Sequence, residues 1–274
     1  MTWCAVDVRS AAPLRDPVTT WLVERTGQAV EERDDGSLVA FAENESSATR
    51  LILELRSRFG EAVAGESRPL PMVDWNDRWR DGLAPRRIGR LTVTPSWMPA
   101  PGPATLVIDP ESAFGTGEHG STRSALALLD RYVQPGHRVL DLGSGSGILA
   151  IAAVLLGASR ASGIEIDDEA EPIALANAAR NGVADRVTFL TGDAAALAPL
   201  LGPVDLVLSN ILRGPNVALL PAIRAALAPQ GIAIFAGMEL PERELFLPEL
   251  GAAGFCALDE ARDEGWWAIA ARPG

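Results

Sequence analysis

From residue 138 onward, short β-rich runs at 138–142, 161–166, 187–191, 205–209 and 231–236 alternate with helical stretches. Nothing else constrains the fold as strongly, because parallel strands need crossover helices, and right-handed crossovers stack them into a doubly wound α/β sheet. The end of the chain breaks this rhythm. Runs at 255–263 and 265–271 have no helix between them, which predicts an antiparallel hairpin at the sheet edge. Trp266 and Trp267 then face opposite sides of the last strand and fill core or interface positions.

The first of these strands runs into Asp141-Leu142-Gly143-Ser144-Gly145-Ser146-Gly147 and then a helix. Glycines at such a turn let a ligand approach the backbone, and bare amides can meet it at the carboxyl end of the sheet. Upstream, segment 109–122 carries Phe114-Gly115-Thr116-Gly117-Glu118-His119-Gly120-Ser121-Thr122, a polar loop able to cover that ligand from the other side. Glu165 lies 22 residues beyond Gly143 at the end of the next strand, where a carboxylate accepts hydrogen bonds from both ribose hydroxyls. A dinucleotide enzyme shares this much. Its fingerprint, however, needs glycine where this chain has Ile148, which weakens a nicotinamide oxidoreductase reading without removing it.

Asp193, after the third strand, either takes an adenine amino group or simply completes a Gly-Asp turn. Asn210 ends the fourth strand, facing the ligand cleft. Its amide carbonyl can hold an incoming amine with the lone pair aimed at an electrophile, although capping the next helix is an alternative. His119 is either a proton acceptor or a histidine that stabilises its loop. His137 reads as an ordinary surface residue.

Ahead of this region, a strand at 3–9 precedes a helix with Asp16 as cap, Pro17 at its first position and Gly27 as stop. Runs at 29–33 and 38–42 around Asp34-Asp35-Gly36-Ser37 signal a hairpin. A second helix starts at Ser46 or Ser47 and stops at Gly60, before a weak strand near Ala62. This β-α-β-β-α-β order is the ferredoxin-like pattern, which names no activity. Residues 66–71 look like a linker, and Trp75 and Trp79 one helical turn apart suggest indole packing. The expected organisation is a recognition domain at 1–67, a linker and lead-in at 68–95, and a catalytic domain at 96–274.

Composition narrows the partners. The net charge is −12, from 36 acidic residues against 24 basic ones, all of them arginine, so lysine catalysis is excluded. An acidic surface repels phosphate backbones and favours a basic protein or amine, with solubility alone as the bland alternative. Residues 1–67 carry 12 acidic residues against 7 arginines, so this part could dock something basic. Cys4 and Cys256 stand far apart without metal-ligand spacing, and no apolar run reaches the ~20 residues that cross a bilayer. A cytoplasmic chain with reduced thiols and no metal is expected.

Taken together, Ala113-Phe114-Gly115-Thr116-Gly117, His119 and Thr122, the Asp141–Ile151 segment and Asn210-Ile211-Leu212 resemble three signatures of the ribosomal protein L11 methyltransferases. Asp74-Trp75, Trp79 and Pro95-Ser96-Trp97 resemble that family's linker and the start of its catalytic domain. The resemblance implies a class I methyltransferase, with a seven-stranded doubly wound α/β sheet and a small N-terminal ferredoxin-like α+β domain that recognises the ribosomal protein. It also implies S-adenosylmethionine as cofactor and amines of ribosomal protein L11 as substrate; a monomer with no direct nucleic acid or membrane partner is expected beside it. Phe114, Gly115, Thr122, Gly143, Gly145, Glu165, Asp193 and Asn210 become the cofactor-binding candidates, with Asn210 and His119 as catalytic ones. Glu165 replaces the family's usual aspartate, and Glu118 with Gly120-Ser121 alters the loop beside His119. Another protein or a small amine remains an alternative substrate.

Overall fold

The computed structural model describes residues 3–26, 30–33, 36–69, 84–98, 102, 104–109, 111 and 113–274. They divide into two compact units, Met1–Asp81 and Gly82–Gly274. Trp75, Trp79, Gly27 and the Asp34-Asp35 turn lie outside the described residues.

In the first unit, strands β1 (Cys4–Ser10), β2 (Glu31–Glu32), β3 (Leu38–Ala42) and β4 (Val63–Pro69) form an antiparallel sheet in the order β2-β3-β1-β4. Helices α1 (Arg15–Thr26) and α2 (Glu45–Phe59) complete the ferredoxin-like unit. Its core joins Val6 and Val8 of β1 with Val18, Leu22 and Leu55 of the helices, all fully buried. Each such side chain contributes about 1.5–3 kcal/mol.

Local details depart from expectation. Helix α1 begins one residue before Asp16. Asn44, rather than Ser46 or Ser47, caps α2 by accepting from the Ser47 amide at 2.9 Å. The supposed linker residues 66–69 extend β4, because Cys4 to Asp7 of β1 offer them a continuous pairing register.

The second unit opens with a small sheet of β5 (Arg86–Ile88), β6 (Leu91–Thr94) and β7 (Thr105–Val107), so regular structure begins within the lead-in at 68–95. Helix α3 (Gly120–Tyr132) leads to β8 (Arg138–Leu142), then α4 (Ile148–Leu155), β9 (Arg160–Glu165), α5 (Ala170–Arg180) and β10 (Val187–Thr191). There follow α6 (Ala194–Leu201), β11 (Val204–Asn210), α7 (Arg213–Ala226), β12 (Leu227–Glu239), α8 (Arg243–Ala252), β13 (Phe255–Asp263) and β14 (Trp266–Pro273). The sheet order is β10-β9-β8-β11-β12-β14-β13, parallel through β12, with β14 antiparallel to both its neighbours.

Strand order therefore reverses between β8 and β11, and the carboxyl ends around that point are where open α/β sheets hold ligands. Residues 148–154 of α4 are buried on every side. Such a helix belongs inside the fold, and it carries the glycine turn at its start as a rigid platform.

Candidate functional site

A cleft of about 860 Å³ opens at these carboxyl ends, within the range of sites that enclose a cofactor-sized molecule. Gly143, Gly145, Glu165 and Asp193 contribute to its lining, as do Phe114, His119 and Asn210. Two predicted residues stand behind the wall. Thr122 is fully buried and accepts a 3.2 Å hydrogen bond from Asn210 Nδ2, while the Gly115 carbonyl accepts from Ser146 Oγ at 2.7 Å.

The glycine turn does not present bare amides. Gly143 and Ser144 donate to the Ile164 carbonyl, Gly145 to Glu165 Oε2 at 2.9 Å, Ser146 to the Phe114 carbonyl, and Gly147 to the Ser144 carbonyl. Buried donors must be paired, and the next strand and the covering loop pair them. The glycines serve shape instead: φ is +70°, +49° and +79° at Gly143, Gly145 and Gly147. A Cβ on Gly145 would stand 2.5 Å from the Phe114 carbonyl oxygen.

Glu165 accepts from Gly145 through Oε2 and from the Ile166 amide through Oε1 at 2.8 Å. The Asp167 amide also donates to Oε1, at 3.3 Å, so of the carboxylate's roughly four lone-pair sites one, on Oε2, stays open for a ribose hydroxyl. Asp193 caps α6 by accepting from the Ala195 amide at 2.8 Å, which fixes its carboxylate at the cleft wall. Asn210 caps no helix, since α7 starts after Leu212 without a side-chain cap. Its Oδ1 is buried and has no hydrogen-bond partner among the described residues. An orphaned acceptor on a ligand cleft is a group built for something that donates to it.

Aromatic rings complete the cleft. The Phe114 and His119 rings meet edge-on at 5.3 Å, and Trp266 lies 4.2 Å from His119. His119 Nδ1 is 2.7 Å from Ser121 Oγ. Burial first, then the charge of Arg123, hold the imidazole pKa below its ordinary value, so it is neutral at pH 7. Beneath the turn, Asp141 is buried with one oxygen on the Ala150 amide, and burial pushes its pKa up to about 7.

Three contributors escaped the sequence reading. Asn216 of α7 donates to the Ile211 and Ala236 carbonyls and accepts from Ser209 Oγ, fixing the loop after Asn210. Asn177 of α5 donates to the Asp109 and Ser146 carbonyls and accepts from the Asp109 amide, tying the base of the covering loop to the glycine turn. No local motif marks either one. Trp266 had a signal in strand alternation: Trp267 is fully buried, so its neighbour had to face out, and it faces the cleft.

The family model of ribosomal protein L11 methyltransferases (PrmA) matches residues 8–273. A ribosomal protein L11 methyltransferase of Thermus thermophilus is 44% identical over 199 residues, covering 72% of this chain and 76% of that one. The enzyme of the same name from Geobacter sulfurreducens is 36% identical over 293 residues, covering 96% of each. Among solved structures, a ribosomal protein L11 methylase from Lactobacillus delbrueckii subsp. bulgaricus superposes with a TM-score of 0.61 at 30% identity, covering 68% of this chain and 95% of that one.

Proposed function

The chain belongs to the ribosomal protein L11 methyltransferase family, and from that membership we propose that it transfers methyl groups from S-adenosylmethionine to amines of ribosomal protein L11. The observation that carries the chemistry is the buried, unpartnered Asn210 Oδ1 on the cleft. The cofactor supplies an electrophilic sulfonium methyl when bound. Glu165 would accept a hydrogen bond from a ribose hydroxyl, Asp193 would take the adenine amino group, and the glycine turn would let the molecule lie against backbone. Asn210 Oδ1 accepts a hydrogen bond from the acceptor amine and aims its lone pair along the line of attack.

A lysine amine, with an ordinary pKa of about 10.4, must arrive deprotonated, whereas an α-amine near 8 needs less help. His119, held neutral, can take that proton or pass it to water. Under this proposal the ferredoxin-like unit recognises L11, and the enzyme works in the cytoplasm as a monomer, without a nucleic-acid or membrane partner. A net charge of −12 supports a cationic protein partner. Among the described residues no helix is long and apolar enough to cross a membrane.

Calorimetric titration tests the cofactor assignment. Binding of S-adenosylmethionine, weakened by Glu165→Ala, is expected; binding of NAD alone would revive the oxidoreductase reading left open by the Gly143–Gly147 turn.

A further inference from the structure

The turn joining β13 to β14 is held against the start of α3 by more than hairpin geometry requires. Arg123, in the first turn of α3, is buried, with its side chain 8% exposed. Its guanidinium donates to both oxygens of Asp263, to Glu264 Oε2 at 2.6 Å and to the Glu118 carbonyl. The planar fork of donors suits such a multipoint clamp, and an ammonium could not reproduce it. The backbone is shaped for the same contact. Glu264 takes a φ of +45°, and a Cβ on Gly120 would stand 2.6 Å from the Asp263 carbonyl oxygen and 2.7 Å from Trp266 Cδ1. Trp266, just after this turn, leans on His119, the residue after Glu118, and both rings line the cleft.

We propose that Arg123 is a positioning residue for methyl transfer: by clamping the 263–265 turn onto the Glu118–His119 loop, it sets the His119–Trp266 wall against which the acceptor amine lies. The kinetic consequence rests on the methyltransferase reading, whereas the clamp itself does not. Arg123 sits outside the lining and touches none of Gly143, Glu165 or Asp193, so its loss should spare cofactor binding. Arg123 is the charged group that acts on His119, and the clamp around it gathers Glu118, paired with Arg86 of β5, and Asp263 with Glu264 from the hairpin. Arg123 is the cation that helps keep His119 neutral, and removing it takes from the two hairpin carboxylates their hydrogen-bonded cation, leaving only the more distant Arg86.

The test uses the full chain with Arg123→Gln, Arg123→Lys and Glu264→Gln, the last altering a side chain that is 72% exposed. Histidine NMR titration is read without cofactor or substrate, with His137, the chain's other histidine, as internal reference. In Arg123→Gln, the His119 titration moves to higher pH and kcat on L11 falls about tenfold, while the cofactor Kd stays within about twofold. Arg123→Lys keeps the charge and loses the fork, so His119 titrates as in the parent while kcat remains low. Glu264→Gln leaves Arg123 less compensated, and its His119 titration shifts to lower pH. An unshifted His119 titration in both Arg123→Gln and Glu264→Gln would remove the clamp. Unchanged kcat in both Arg123 variants, or kcat and cofactor affinity falling together with the unfolding midpoint, would overturn the positioning role. A parent that transfers no methyl to L11 overturns the functional reading instead, and the titration shift tells these failures apart.

Discussion

Asn210 and Asp141 are both buried polar residues with one unpaired oxygen, yet they do opposite work. Asn210 carries no charge, so its orphaned Oδ1 costs little that a donating ligand cannot recover. Asn210→Ala is therefore expected to lower kcat about 10²-fold with the cofactor Kd nearly unchanged, read by steady-state kinetics beside calorimetry. Asp141 is a carboxyl whose folded pKa, about 7, lies above its unfolded value near 3.9, chiefly through burial. The unfolded chain gives up that proton first. Stability thus falls as pH rises from about 4 to about 7, and is level above that. In Asp141→Asn the slope disappears, so the melting temperature of the variant minus that of the parent should climb across this window; a constant difference would refute the assignment. Glu165 and Asn210 were legible because strand ends of a parallel sheet point at the cleft. The burial of Asp141 was not legible, since it depends on what packs over the strand.

At the scale of elements, the covering loop and the glycine turn form one stitched unit. Ser146 takes the Phe114 carbonyl through its amide and the Gly115 carbonyl through its hydroxyl, and Asn177 joins the Ser146 carbonyl to both backbone groups of Asp109. Asn177→Ala leaves several buried groups unpaired at about 1–3 kcal/mol each, which predicts a loss of about 2–5 kcal/mol in denaturant unfolding and weaker cofactor binding. A loss under about 1 kcal/mol would mean that the loop holds its place without this residue. Paired loops at 109–122 and 141–147 could be recognised in sequence as facing one ligand. What binds them together could not, because Asn177 lies 68 residues from Asp109 and looks like any polar helix residue. Strands β5 and β6 were missed for a related reason, being only three and four residues long, with Ile88, Leu91 and Val93 buried in a core built largely from residues far along the chain.

For the molecule as a whole, the order of elements was readable from periodicity, because βα alternation and the ferredoxin-like pattern are local signals. The insertion of β14 between β12 and β13 is tertiary information, fixed by pairing such as Ile234 with Ala270. The two units have separate hydrophobic cores, which supports a division of labour between substrate recognition and chemistry. Deleting residues 1–67 should accordingly abolish methylation of L11 while cofactor binding persists, as followed by calorimetry; methylation at the parent rate would contradict recognition through that unit. Whether methyl groups reach L11 is read from the intact mass of purified ribosomal protein L11 after incubation with this protein and S-adenosylmethionine. Stepwise gains of one methyl mass are expected, appearing about 10²-fold more slowly with Asn210→Ala, and an L11 mass that never changes while the protein binds the cofactor would rule out methyl transfer to L11.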